Sequence, residues 1–276
     1  MIDRKALLKR LALAGYFLAA FLVFLFLLFP FERVKGKLES EFRQRTALEL
    51  SVARLSPRFL NRFLLSDVVV SDQKGKVLFE SRSTTAVVSL WNLLRGALAL
   101  HLHADAYGGT LVVRVHQGKG QQTLIVDADN LDIASYSLLK DLGLHFAGKA
   151  GGNFEMSGDA GKGRVWVKGL TSRDLKVQGF PVPDLDFEQG WIEADVKGDH
   201  LTIKKLQLDG KQLQLRVTGD VILHERGLLN LTVKVKPSEQ LAHDQSALIS
   251  LLHNRDPEGF YQFSVGGLVS QPMPRL

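Results

Sequence analysis

His101 and His103 stand two residues apart where polar and apolar residues alternate, so both side chains leave the same side of one strand. Two imidazoles at that spacing can chelate zinc. A zinc site takes at least three protein ligands, however, and neither His116 nor Asp105 is singled out as the third. The polar side of a strand is the simpler reading. Asp127-Ala128-Asp129-Asn130-Leu131-Asp132 resembles the start of a calcium loop, but such a loop needs an oxygen ligand fifth and Gly sixth. This chain offers Leu131 and Asp132 there, so a solvated turn is expected. Residues 158–163 (GDAGKG) lack phosphate-loop spacing and a following helix, and read as a hairpin turn. Neither GxSxG nor HExxH occurs, and the absence of cysteine removes disulfides, thiolate ligands and thiol nucleophiles. Trp91, Trp166 and Trp191 are too scattered for a stacking platform and are expected to pack or to sit at edges. No catalytic, cofactor-binding or metal-binding residue emerges, and the protein is expected not to be an enzyme.

The elements that position these residues begin with a membrane segment. Residues 11–29 (LALAGYFLAAFLVFLFLLF) carry no charge and, as a helix, would span roughly 28 Å, close to a bilayer's hydrocarbon thickness. The run ends in Leu27, Leu28, Phe29 and Pro30, which a signal peptidase that wants small residues would refuse. An uncleaved transmembrane anchor is therefore expected. Arg4, Lys5, Lys9 and Arg10 face only Asp3 on its N-terminal side, which places residues 1–10 in the cytoplasm and the rest outside. The formal charge of +6 is modest and four of its cations lie in that tail. No basic stripe with interleaved aromatics remains, so nucleic acid is not an expected partner.

About 245 residues follow the anchor, enough for one large domain or two modest ones. Val34, Leu38 and Phe42 recur every fourth residue, giving a juxtamembrane helix or linker over residues 30–56, broken near Pro57. From there the period is two. Runs at 64–70 and 76–79 flank a turn at 72–75 (DQKG), and residues 89–96 (SLWNLLRG) give a short helix with Ser89 as N-cap and Gly96 as stop. Strands are expected at 98–103, 110–116 and 124–126, and a short helix at 135–142. Gly148, Gly151 and Gly152 bracket a turn, and a loop at 181–184 (PVPD) divides the domain into halves. A phase slip near Lys204-Lys205 predicts a β-bulge. After Pro237 one helix is expected, with Leu241, Leu248, Leu251 and Leu252 on one face, and a last strand at 259–268.

Leu213, Leu215, Val217, Leu229, Leu231 and Val233 share one face of two adjacent strands. They line either an apolar groove or an ordinary dry core. The fold class is mainly β: a transmembrane helix, then a curved antiparallel multi-strand sheet with a few short helices over residues 57–276, without a βαβ rhythm. One-sided strands bury their apolar side in a closed barrel, a sandwich, or an open trough.

The order of segments resembles the type II secretion system protein N family (GspN). The features that carry the resemblance are the anchor closing on Phe29-Pro30, the strand at 64–70, and SLWNLLRG at 89–96 leading to Ala106-Tyr107-Gly108-Gly109. They continue with Asn130-Leu131-Asp132 before the turn at 136–139 and Gly148, the helix after Lys236-Pro237, and Val265-Gly266-Gly267-Leu268 before Pro272. That family is in turn similar to AsmA-like envelope proteins, whose repeated strands form groove-bearing sheets implicated in phospholipid traffic. The resemblance implies an open groove or incomplete barrel in the periplasm and an accessory role in protein secretion at the inner membrane. The partners it implies are other type II secretion components, with phospholipid acyl chains as a further partner. It brings no catalytic residue and no cofactor. About twelve strands would give a trough of roughly 55 Å, short for a bridge across a periplasm.

Overall fold

The computed structural model describes residues 31–275 except 60, 119, 142, 175, 178, 179, 182, 224–226, 251, 254 and 270. The expected anchor at 11–29 and tail at 1–10 lie outside the described residues. Among the described residues, no helix is long and apolar enough to cross a membrane.

Helix α1 (Phe31–Thr46) ends where Ala47 takes φ 55 and the chain turns back into strand β1 (Glu49–Phe59). Arg43 meets Glu49 at 3.4 Å, the Val52 N–H donates to Glu39 Oε1 at 3.0 Å, and Lys35 Nζ donates to the Ala53 carbonyl at 3.4 Å. Later helix residues thus meet earlier strand residues, so α1 runs antiparallel along β1 and satisfies part of its open edge. The sheet begins at Glu49, not at residue 57 as expected. Pro57 lies within β1, where an edge strand tolerates a missing N–H.

There follow β2 (Arg62–Ser71), β3 (Val77–Val88), α2 (Leu90–Leu94), β4 (Leu98–Ala106), β5 (Gly109–Gly118) and β6 (Gln121–Asp132). A 3-10 turn (Ile133–Ser135) and α3 (Ser137–Asp141) lead to β7 (His145–Ser157) and β8 (Ala160–Arg173). The chain continues through β9 (Lys176–Val177), β10 (Phe180–Pro181), β11 (Leu185–Lys197), β12 (His200–Gly210), β13 (Leu213–Ile222) and β14 (Leu228–Pro237). It closes with α4 (Glu239–Asp244), α5 (Ser246–Ile249), β15 (Tyr261–Leu268) and β16 (Gln271–Arg275). Fourteen strands form one antiparallel sheet in chain order, and β9 with β10 forms a separate ladder. β1 and β16 are the two edges and do not pair, so the sheet is open.

Several local expectations hold for the reasons given. Asp72 Oδ1 accepts from the N–H groups of Lys74 and Lys76, both at 2.8 Å, and Gly75 supplies φ 78 for the turn. Ser89 caps α2, and Gly96 stops it at φ 74. The register slips between Ile203 and Leu206, where the bulge was expected. Other expectations are corrected. Gly148, Gly151 and Gly152 make no turn but lie inside β7, where a side chain at 152 would meet the Arg164 carbonyl oxygen at 2.2 Å. The segment at 181–184 does not divide the sheet, because β11 pairs directly with β8 from Leu185↔Ser172 to Lys197↔Ala160. The single helix after Pro237 is two short ones. Residues 271–275 add an edge strand whose prolines pair opposite Gly267 and Val265.

Since each sheet strand reverses the last, connections fall alternately at two ends. One end carries the β1–β2 connection and α2, and may be called the α2 end. The other carries the β4–β5 turn, α3 and the β14–β15 crossover. Here Tyr107 packs edge-on against Phe79 and Tyr136, with centroids 6.1 and 5.4 Å apart. This is the tyrosine end.

Candidate apolar binding face

Residues paired across an antiparallel ladder point to the same face, so the registers can be followed from strand to strand. Starting at Pro57, the partners are Phe63, Ala86, Leu102, Val113, Val126 and Phe154. The row continues through Gly163, Ala194, Ile203, Gly219, Leu231, Val265 and Pro274. It crosses all fourteen strands without one polar side chain. A neighbouring row runs Val165, Ile192, Leu206, Val217, Val233 and Phe263. One-sided alternation, with bulges absorbing the slips in register, therefore makes a continuous apolar face.

All six residues singled out in the sequence lie on it. Leu215 pairs with Val235, Val217 with Val233, Val221 with Leu229 and Leu213 with Pro237, while Leu231 faces Gly219. Val217 and Val233 are buried at 8 % exposure each, whereas Leu213, Leu215, Leu229 and Leu231 are half-buried. A dry core would bury such leucines fully. Over the whole described chain only Phe260 and Val52 are large, fully buried side chains. Drying apolar surface is worth about 25 cal/mol per Å², so a ligand covering ~400 Å² of this face gains ~10 kcal/mol before its ordering costs.

Packing is denser at the first strands. Val52, Leu65, Val68 and Ala86 form a buried cluster with Leu50, Leu55, Phe63, Leu100 and Leu102 against it. The alternation slips here: Leu65 and Val68, three residues apart, both face inward because Asp67 sits at φ 49. Ser81 and Thr84, buried beside them, satisfy each other, with Thr84 Oγ1 donating to Ser81 Oγ at 3.1 Å.

The opposite face is polar and paired. Arg114 binds Asp127, Arg164 meets Glu193 at 3.4 Å, Lys204 meets Asp195 at 2.5 Å, and Lys234 meets Asp256 at 3.1 Å. The candidate chemistry of the sequence dissolves into this face. His101 and His103 are exposed, and His103 Nε2 lies 3.9 Å from Asp105. Asp127 is held by Arg114, while Asp132 caps the 3-10 turn through the Ala134 N–H at 3.0 Å. These carboxylates serve separate partners. Among the described residues, no three His, Asp or Glu side chains converge on one point. The Gly-rich segment at 158–163 turns only at Gly158-Asp159 and then runs on as β8. Trp166 and Trp191 are less scattered than expected: they are directly paired across β8 and β11, beside a 490 Å³ cleft that Arg164 and Glu193 also line. Their distance in sequence hid that pairing, which depends on the β8–β11 register.

At the tyrosine end a cleft of about 890 Å³ is lined by Asp67, Glu80, Arg82, Asp105, Tyr107 and Lys140, among others. Tyr107 Oη accepts from the Glu80 N–H at 2.9 Å, and Tyr136 Oη donates to the Leu78 carbonyl at 3.1 Å. Burial raises both phenols above their ordinary range. Tyr136 pins the β6–β7 crossover and Tyr107 the β4–β5 turn onto β3, and neither was read from the sequence as functional.

Comparison with protein-family models, with curated proteins and with solved structures finds no match to this chain.

Proposed function

We propose that this protein is a non-enzymatic accessory component of a type II secretion apparatus. In this reading residues 11–29 hold it in the inner membrane, residues 1–10 are cytoplasmic, and the sheet supports export of folded proteins from the periplasm. The observation that carries the reading is the unbroken apolar row across fourteen strands, with its polar, ion-paired reverse. A protein built this way presents a surface to a partner rather than a cleft to a reacting bond. The order of segments that resembles protein N of the secretion system adds the identity of the apparatus. Deleting the gene should leave exoproteins trapped in the periplasm. Normal secretion by the deletant would overturn the reading.

A second reading, phospholipid handling of AsmA type, is favoured by one specific feature. Leu213, Leu215, Leu229 and Leu231 of β13 and β14 are half-buried on an open sheet, as an acyl-chain surface requires. Strands ~4.8 Å apart give a face of roughly 60 Å across. Native mass spectrometry of the full chain released from membranes tests it. Co-purified phospholipid that is lost on Leu215→Asp with Leu231→Asp supports lipid handling, and protein free of lipid rejects it.

A further inference from the structure

We propose that helix α2 is a membrane-contact element. Its exposed apolar side chains enter the surface of the bilayer, and the arginines beside it meet anionic headgroups. The inference rests on the membrane-anchored reading above and adds where the sheet touches the membrane.

The first observation is that α2 is inverted. A short helix between two strands ordinarily turns its leucines toward the sheet. Here Leu90, Trp91, Leu93 and Leu94 are 47, 63, 49 and 80 % exposed, and no residue of the helix is buried. Its polar member, Asn92, is the inward one: Asn92 Nδ2 donates to Ser89 Oγ at 3.0 Å, and its carbonyl accepts from Ala97 N–H at 2.8 Å. The backbone is satisfied, and the apolar side chains are left facing out.

The second observation is position. Because α1 runs antiparallel to β1, its Phe31 end lies toward the β1–β2 connection. Eight helical residues from Glu39, which binds Val52, carry it about 12 Å that way. The Val88 N–H donates to the Asn61 carbonyl at 2.9 Å, so α2 leaves the sheet beside the same connection. The chain segment that precedes Phe31, with its uncharged run at 11–29, therefore joins the molecule at the end that carries α2.

The third observation is charge. Arg58 and Arg62 flank the β1–β2 connection in a run, residues 50–66, that holds no Asp or Glu, and Arg95 directly follows α2. The Arg95 guanidinium lies 4.6 Å from the Trp91 ring, a pairing suited to headgroup depth, where an indole and a cation are both at home. Cations around an apolar tip match an anionic lipid surface. An acidic protein groove would be the competing occupant.

The chain contains no cysteine, so Leu94→Cys gives one attachment point for an environment-sensitive fluorophore on the full protein. Lys211→Cys, at an 88 % exposed side chain of the tyrosine end, is the control. Each labelled chain is reconstituted into vesicles of phosphatidylethanolamine and phosphatidylglycerol with brominated acyl chains, and flotation is measured on the same sample. The probe at 94 should shift to the blue and lose most of its emission to the brominated lipid, while the probe at 211 keeps its emission. Arg58→Glu with Arg62→Glu should weaken the quenching at 94 without changing flotation. A chain that floats while position 94 is open to aqueous iodide and unquenched by lipid overturns the inference and spares the anchor. That outcome covers a protein partner as well. Equal quenching at both positions overturns it too, since the contact would not belong to the α2 end. A chain that does not float removes both readings.

Discussion

The two ends of the sheet are made from the same strands and differ in what they turn outward. Connections of the α2 end, or the strand residues beside them, expose Leu90, Trp91, Leu93, Leu94, Leu98, Leu223, Leu228 and Val269. Among the side chains whose exposure is described, which leave out residues 175–182, 247 and 248, connections of the tyrosine end expose no large apolar one. They fold back and bind: Tyr136 reaches Leu78, Asp256 reaches Lys234, and Phe260 is buried at 2 % exposure between Arg216 and Lys236. Alternating strand direction alone would give equal ends. The asymmetry comes from where each connection places its apolar residues, and it is the contrast on which the proposed membrane contact of α2 rests.

The largest test of that contrast is Phe260→Ala. The ring packs under the Arg216 guanidinium at 4.3 Å and the Lys236 ammonium at 5.6 Å, on the polar face of the sheet. Removing a buried phenylalanine costs about 3–5 kcal/mol when its surroundings cannot collapse into the space. Denaturant unfolding followed by circular dichroism should show a loss in that range. A loss below ~1 kcal/mol would mean that the crossover is not held by its own core, and the two ends would then be alike.

Next in size is Tyr136→Phe, which removes one hydroxyl-to-carbonyl bond and should cost about 1 kcal/mol near neutral pH. The pH dependence sharpens the assignment. Burial raises both phenols above the ordinary 10.0, so the unfolded chain gives up these protons first. Their contribution is complete below about pH 10 and declines as pH rises through the raised values. The double change Tyr107→Phe with Tyr136→Phe should flatten that alkaline decline in thermal melts. An unchanged decline would move the cause elsewhere.

A smaller acid-side effect belongs to Asp256. Its carboxylate accepts from the Phe260 N–H at 2.9 Å and from Lys234 at 3.1 Å, which holds it below the ordinary 3.8. That contribution is present above the ordinary value and is lost as pH falls through the lowered one. Asp256→Asn should leave a melt at neutral pH slightly lower and remove its sensitivity below about pH 4. Persistent acid sensitivity in the variant would point to another carboxylate.

Much of the sheet was legible because its signal is local. Ser89 and Gly96 bound a helix wherever they stand around a leucine run, and a phase slip at Lys204 has no other cheap cause than a bulge. The six candidate residues were placed together because β13 and β14 are neighbours in the chain. What was not legible depended on register or on distant partners. Gly151 and Gly152 read as a turn because glycine favours turns. They are strand residues because Trp166 and the Arg164 carbonyl occupy the space where side chains would stand. Trp166 and Trp191 read as scattered because β9 and β10 lie between them. β16 went unread because two prolines in five residues argue against any strand except an edge. The exposure of α2 was invisible for a related reason. Leucines in a short capped helix look the same whether the sheet covers them or not.

The smallest expected effect bears hardest on the comparison. Leu94 is 80 % exposed and Trp91 63 %, so Leu94→Ser with Trp91→Ser should change unfolding stability by less than about 0.5 kcal/mol per site. An apolar helix kept for folding would not behave so. If the pair instead costs several kcal/mol, α2 packs on the sheet in solution, and its leucines are core rather than surface. If the pair is neutral for stability yet the variant alters secretion in vivo, the apolar end is retained for contact alone. Fold and contact are then separable at two residues, which the Phe260 site at the other end does not allow.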